Sequence, residues 1–141
     1  MPDRATRDAY RRFVAIPTRW MDNDIYGHLN NVVHYSLFDT AVNRTLIEAG
    51  LLDIDGGAII GLVVESGCRY HASLAFPDVV QAGLRVGKLG RSSVRYEIGL
   101  FRGDEPLAAA EGHFVHVHVD RGSRRPVELP ADWRAFFEGL V

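Results

Sequence analysis

The sequence predicts an α+β fold in which one long helix packs against a five-stranded antiparallel sheet. From Asn31 to Ala49, apolar residues recur every three or four positions, which is the period of a helix. After residue 58 the period falls to two, which is typical of strands, and the strand candidates are joined mostly by short turns. Hairpin-sized connections join antiparallel neighbours. With 141 residues, the chain is expected to form a single domain over residues 1–141.

The first two predicted elements are a strand and the long helix. The strand is predicted over residues 10–19, where Pro17 indicates an edge position or a bulge. The helix is predicted from Asn31 to about Ala49, with Gly50 as its C-cap. Its apolar stripe consists of Tyr35, Phe38, Val42, Leu46 and Ala49. Because Val33 and Leu37 lie on another side, the first half of the helix is expected to be buried on more than one face.

Four more strands and a short C-terminal helix complete the predicted fold. The strands are expected at residues 58–71, 78–89, 93–102 and 107–119. The short helix is expected at residues 130–137, with Pro130 in its first turn. One helix covers a single face of such a sheet and leaves its edges open, so we expect a homodimer or a homotetramer.

The composition argues against several classes of protein. A formal net charge of -2 lacks the basic excess that nucleic-acid-binding proteins carry. No apolar run approaches the ~20 residues that a membrane-spanning helix needs, and the charged N-terminal residues do not resemble a signal peptide. The single cysteine, Cys68, allows no intrachain disulfide, so a cytoplasmic setting is expected.

The segment WMDNDIYGHLNN, residues 20–31, concentrates polar residues just before the predicted helix. Its aspartates and asparagines can act as helix caps and turn residues, which is the simpler interpretation. Capping does not account for Gly27 and His28. A glycine permits close backbone approach, helix N–H groups can hold a developing oxyanion, and a carboxylate such as Asp24 can attack directly or activate water. The segment therefore indicates a site for hydrolysis of an acyl compound.

The residues from Arg19 to Asn31, followed by Tyr35, resemble the signature of hotdog-fold acyl-CoA thioesterases. The most similar group is the 4-hydroxybenzoyl-CoA thioesterase-like family. The similarity continues, in order and over nearly the whole chain, at Glu65, Tyr70, residues 89–93 and residues 129–132. It implies a long helix wrapped by an antiparallel sheet, subunits that pair sheet to sheet, and an active site at the dimer interface.

The resemblance also implies the reaction and its residues. An acyl-CoA substrate is hydrolysed by water, without a metal or an organic cofactor. Asp24 matches the family's catalytic carboxylate, acting as general base or nucleophile, and the backbone amide near Asn31 binds the thioester carbonyl. The residues expected to contact the substrate are Tyr26, Gly27 and His28 around the pocket, and Arg91 and Ser92 at the CoA phosphates or pantetheine arm.

Several residues allow more than one interpretation. Glu65 is a further candidate for the substrate-binding site, either buried beside it or paired with Arg69. Asp22 is expected to cap a helix or to pair with Arg19. A metal at the three histidines of the last strand is disfavoured, because only His116 and His118 share a face and zinc needs three or four ligands.

Two other functions remain open at this point. Asp24 and His28 also suit a hotdog enoyl-CoA hydratase or dehydratase, which moves water on and off a double bond. A non-catalytic acyl-CoA or acyl-carrier binding protein would keep the pocket and show no turnover. Release of a free thiol from an acyl-CoA distinguishes hydrolysis from both.

Overall fold

Five strands and two α-helices form the fold in the computed structural model, which describes residues 3–141. Met1 and Pro2, at the start of the expected domain, lie outside the described residues. The strands are β1 (Arg12–Pro17), β2 (Ile59–Tyr70), β3 (Val79–Leu89), β4 (Ser93–Arg102) and β5 (Ala110–Asp120). The helices are α1 (Asn31–Glu48) and α2 (Ala131–Glu138). The predicted α+β class is confirmed. Neither helix in residues 3–141 is both long and apolar enough to cross a bilayer.

The strands form one sheet in the order β1-β3-β4-β5-β2, and every neighbouring pair is antiparallel. The edges are β1 and β2, and Pro17 ends the edge strand β1, as its missing N–H donor predicts. The last strand begins at Ala110 instead of residue 107. Leu107 instead forms an isolated bridge with Thr6 of the N-terminal segment.

Two short 3-10 turns were not predicted, at Arg7–Ala9 and at Trp20–Asp22. The second one follows β1 closely and explains why that strand ends before residue 19. Asp22 closes this turn, because its carboxylate accepts from the Arg19 backbone N–H at 2.7 Å and from the guanidinium at 2.9 Å. The expected structural role of Asp22 is therefore confirmed.

Helix α1 packs against the inner face of the sheet and is buried on more than one side, as predicted. Leu37 and Phe38 are both buried, and Phe38 lies directly on Gly112 of β5. A Cβ atom at Gly112 would lie 2.3 Å from the Phe38 ring, so the helix can approach the sheet this closely only over a glycine. At the end of α1 the C-cap is Ala49, one residue before the predicted Gly50. Gly50 follows it with φ 74° and donates its N–H to Ile47, the left-handed position that a glycine after the cap typically takes.

Two histidines of β5, His116 and His118, are buried among aromatic residues between the sheet and α2. The ring centroid of His118 lies 5.2 Å from Trp133, and that of His116 lies 5.1 Å from Tyr96. The Nε2 atoms of both histidines are enclosed without a hydrogen-bond partner in the described part of the chain. Burial lowers the pKa of His116 to about 4 and also lowers that of His118. Both imidazole rings are therefore uncharged in the folded protein near pH 7.

We expect the free energy of unfolding to fall as the pH drops from 6.5 towards 4. In the unfolded chain a histidine binds its proton near 6.5, whereas folded His116 does so near 4, so protons favour the unfolded state in this window. The shift at His116 corresponds to about 3 kcal/mol below both pKa values. Urea unfolding at several pH values measures the loss. The His116→Phe variant should lose less unfolding free energy over this pH range than the parent does. Equal losses in both proteins would contradict the assignment of the pH dependence to His116.

Candidate active site

The loop before α1 is a tight turn that depends on Gly27. The Asp24 N–H donates to the His28 carbonyl at 2.9 Å, and the Gly27 N–H donates back to the Asp24 carbonyl at 3.2 Å. Gly27 adopts φ 84°, a left-handed conformation that residues with a Cβ rarely take. The turn therefore brings Asp24 and His28 side by side, four residues apart in the sequence.

The Asp24 carboxylate is held at both oxygens. Its Oδ1 accepts the Tyr26 backbone N–H at 2.8 Å, and its Oδ2 lies 3.4 Å from His28 Nδ1. His28 Nδ1 in turn donates to the Leu29 carbonyl at 3.3 Å. These contacts fix the direction of the carboxylate and leave it without a close cationic partner such as Arg or Lys in residues 3–141.

Helix α1 begins with one backbone N–H that has no partner. Asn30 is the N-cap, and its Oδ1 accepts the Val32 N–H at 3.0 Å. The Val33 N–H donates to the Asn30 carbonyl at 2.9 Å. The Asn31 N–H has no acceptor within residues 3–141. It is therefore available to a ligand oxygen, at the helix end that carries partial positive charge.

Asp24 and the start of α1 open onto one cavity of about 450 Å³. The walls come from the loop, the first turn of α1, the end of β2 and the segment after it. The residues that line it are Asp24, Tyr26, His28, Leu29, Asn31, His34, Tyr70, His71, Ala72, Ser73 and Leu74. Of the residues predicted for the site, Asp24, Tyr26, His28 and Asn31 are brought together here.

His34 and Tyr70 line the cavity and were not predicted as site residues. Their rings meet edge to face at 4.8 Å. His34 Nδ1 donates to the Asn30 carbonyl at 3.3 Å, and the Tyr70 hydroxyl donates to the Asn31 carbonyl at 3.4 Å. Burial lowers the pKa of His34 and raises that of Tyr70 to about 12, so both rings are neutral near pH 7. The sequence signal that could have identified His34 is helical spacing, because residues three apart on a helix lie on the same face and Asn31 was already a site candidate.

The segment after β2 closes the cavity with His71. The His71 and Ala72 N–H groups both donate to the Ala109 carbonyl, at 2.8 and 3.0 Å, which ends the regular ladder between β2 and β5. The chain turns there, and His71 borders the cavity instead of continuing the strand. Its Nε2 lies 2.7 Å from Glu111 Oε2. No sequence motif indicated this pair.

Four predicted contact residues do not line this cavity: Gly27, which forms the turn behind it, and Glu65, Arg91 and Ser92. Glu65 is on the outer face of the sheet, with 58% of its side chain exposed, and it contacts His113 at 2.9 Å and Arg95 at 3.4 Å. The suggested pairing with Arg69 is therefore wrong. Arg91 and Ser92 form the turn between β3 and β4, beside a separate depression of about 200 Å³.

The remaining polar residues of the loop have structural partners. Asn23 Oδ1 accepts the Phe76 N–H at 3.0 Å, while Asn30 caps α1 and Asp22 closes the 3-10 turn. Capping and turn contacts therefore account for Asp22, Asn23 and Asn30. Asp24, Tyr26 and His28 of the same segment line the cavity instead. Nowhere in residues 3–141 do three or more His, Cys, Asp or Glu side chains cluster as metal ligands would.

Solved structures with the same architecture include proteins close in sequence. The PA5185 protein of Pseudomonas aeruginosa is 54% identical; the match covers 98% of this chain and 96% of that chain, with a TM-score of 0.95. The PA2801 protein of the same species, a candidate thioesterase, is 30% identical over 90% and 98%, with a TM-score of 0.84. A 1,4-dihydroxy-2-naphthoyl-CoA thioesterase from Synechocystis shares the fold at 15% identity over 89% and 93%, with a TM-score of 0.79.

The sequence profile of the thioesterase-like superfamily matches residues 18–137, which include the whole cavity. No curated protein matches the sequence of this chain. The profile and the structural matches confirm the expected hotdog fold and the expected thioesterase class. The chain belongs to the thioesterase-like superfamily.

Proposed function

We propose that the protein hydrolyses acyl-CoA thioesters to a free acid and CoA. The observation that carries this proposal is the pairing, at one cavity, of the Asp24 carboxylate with the unpartnered N–H of Asn31. Membership of the thioesterase-like superfamily supports the reaction class. Hydrolysis needs both parts, because a nucleophile must form at the carbonyl carbon while the carbonyl oxygen gains negative charge.

In this proposal the thioester carbonyl points at the start of α1. The Asn31 N–H donates to the carbonyl oxygen and holds the charge that develops there, helped by the helix dipole. Asp24 acts as general base for water or attacks as nucleophile. Tyr26 and His28 shape the entrance with their stacked rings, whose centroids are 6.2 Å apart, and Gly27 shapes it through its turn.

We further propose that two copies pair through the β2 edge. This edge is free in one copy and carries exposed apolar side chains at Val63 and Val64, and Val64 is 62% exposed. An apolar edge strand of 12 residues is a template for antiparallel pairing. Tyr70 ends β2 and lines the cavity, so the proposed interface would run up to the candidate site. A tetramer of two such dimers is compatible with the same edge contact.

We propose a cytoplasmic setting because of Cys68. It is the only cysteine of the chain and is a free thiol. Burial raises its pKa, which keeps it protonated and unreactive near neutral pH. Reducing compartments keep such thiols free, and CoA itself is a thiol.

Replacement of Asp24 by asparagine should lower kcat by roughly 10²–10⁴-fold. Asparagine keeps an oxygen for the Tyr26 N–H and removes the charge that activates water. Free thiol released from a panel of short, long and aromatic acyl-CoAs measures the effect. Asp39→Asn is the matched control, because Asp39 is an exposed residue of α1 that does not line the cavity.

Equal hydrolysis by Asp24→Asn and the parent would rule out the proposed role of Asp24. If the parent converts crotonyl-CoA to a 3-hydroxyacyl product without free thiol, it is a hydratase. Saturable binding of acyl-CoAs without turnover would instead indicate a binding protein.

Arg91 is proposed to contact a phosphate of CoA. Its side chain is 82% exposed on the turn after β3, and its only ionic partner within residues 3–141, Glu128, is 3.7 Å away. We expect Arg91→Ala to raise KM for acyl-CoA by roughly 3–10-fold, as loss of an exposed charge-assisted contact implies. KM for the matching N-acetylcysteamine thioester, which lacks phosphates, should not change. An equal increase for both substrates would contradict a phosphate contact.

The β2 edge contact predicts an oligomer that charge at the edge disrupts. Sedimentation velocity of the parent should give the mass of a dimer or a tetramer. Val63→Lys with Val64→Lys should produce monomers, because two lysines on an edge strand oppose pairing. Val141→Lys, an exposed apolar position at the C-terminal residue, should leave the mass unchanged. A monomeric parent would refute the proposal.

A further inference from the structure

Three imidazole rings border the cavity, and each has one nitrogen fixed by the protein. His28 and His34 use Nδ1 to donate to main-chain carbonyls. His71 has the shortest carboxylate contact of the three, at 2.7 Å between its Nε2 and Glu111 Oε2, whereas His28 Nδ1 lies 3.4 Å from Asp24 Oδ2. A carboxylate stabilises the positively charged imidazolium, which a carbonyl does far less. Of the three rings, His71 is therefore the one oriented most closely by a charged partner.

The second nitrogen of His71 is open to a ligand. Its Nδ1 has no hydrogen-bond partner in the described chain, and it is not among the polar atoms that the protein encloses completely. The side chain is nevertheless only 10% exposed, and it lines the same cavity as Asp24 and Asn31. The imidazole thus presents one unpaired ring nitrogen at a site where the Glu111 contact holds the ring in place.

Glu111 lies on the outer face of the sheet beside His113 and is itself held in position by the N-terminal segment. It belongs to β5, and its Oε2 also accepts the backbone N–H of Ala5, at 3.3 Å. The N-terminal segment therefore donates a hydrogen bond that positions Glu111, and Glu111 in turn orients the His71 ring. A base or acid oriented by a third group is the arrangement that recurs in enzymes with acid–base histidines.

We infer that His71 is a second catalytic residue, the general acid that protonates the leaving thiolate, and that Glu111 positions it. This inference rests on the proposed thioester hydrolysis. The alkyl thiol of CoA resembles the cysteine thiol, whose pKa is about 8.5, so at neutral pH the released group ends as a thiol and needs a proton. Asp24 is proposed to take a proton from water, and a second group at the same cavity can give one to the sulfur while Asp24 is still engaged with that water.

The step balances in atoms and charge. The oxygen of water bonds to the carbonyl carbon while Asp24 accepts one proton from that water. The bond between carbon and sulfur breaks with its electron pair on sulfur, and the His71 Nδ1 proton passes to the sulfur. The products are the carboxylic acid and the thiol. Asp24 then releases its proton to solvent, and His71 regains one from solvent.

A pair of leaving groups tests this role. The acyl group that the parent hydrolyses best is presented as its N-acetylcysteamine thioester and as its 4-nitrothiophenyl thioester, whose thiolate leaves without a proton. His71→Gln keeps an amide near the Nε2 position for Glu111 and removes Nδ1. It should lower kcat for the alkyl thioester by roughly 10²-fold, the lower end of acid–base effects, and for the aryl thioester by less than about threefold.

Two further variants test positioning and fold. Glu111→Gln retains an acceptor for His71 and removes the negative charge, so it should lower kcat for the alkyl thioester selectively, by less than His71→Gln does. His113→Gln is the matched control: His113 pairs with Glu65 at 2.9 Å on the outer face, away from the cavity, and its replacement should leave both rates unchanged. Thermal unfolding and the retained aryl thioesterase activity report whether each variant is folded.

The possible outcomes separate this inference from the proposed function. Equal loss on both thioesters, or no loss on either, overturns the acid role of His71 while leaving thioester hydrolysis intact. If the parent hydrolyses neither thioester nor any acyl-CoA, the proposed function fails and this inference fails with it. A selective loss on the alkyl thioester, matched in direction by Glu111→Gln, supports it.

Discussion

The contact between Phe38 and Gly112 determines where the candidate site lies. Phe38 is fully buried, so its ring has no room to move away from a larger residue at position 112. The distance between α1 and β5 is therefore set by the absence of one Cβ atom. A helix is stiff over two turns, so the same contact also sets the position of Asn31, seven residues earlier. An overpacked core at this point would cost about 1–3 kcal/mol and would displace the site with the helix.

Capping and ligand binding divide the start of α1 between them. The first N–H groups of a helix lack internal partners, and each must be satisfied by something else. Asn30 takes the N–H groups of Val32 and Val33, through its side chain and its carbonyl. The Asn31 N–H is left without an acceptor in residues 3–141, as the proposed carbonyl contact requires, while Asp22 and Asn23 hold the loop that carries Asp24. The simpler structural interpretation of this polar segment and the proposed catalytic one are therefore compatible, because they apply to different atoms.

The sequence predicted the parts that depend on local pattern. Helical period located α1, short turns located β3 to β5, and a contiguous motif located Asp24, His28 and Asn31. The rest depends on strand register, which alternation alone does not determine. The ladder between β2 and β5 shifts between Val63 and Glu65, and this bulge turns Glu65 to the outer face. His71 would follow the same alternation, but the strand ends at Tyr70.

Two pairs of histidine and glutamate, one within β2 and β5 and one at the end of β2, have similar geometry and different surroundings. His113 with Glu65 and His71 with Glu111 have nearly the same separation, 2.9 and 2.7 Å. The first pair faces outward beside other charged groups, so solvent screens it and its proton has no reacting partner. In the second pair, His71 borders the cavity that also holds Asp24, whereas Glu111 lies on the same face as His113. The end of β2 at Tyr70 therefore places His71 at the cavity, where a proton donor would serve the proposed hydrolysis.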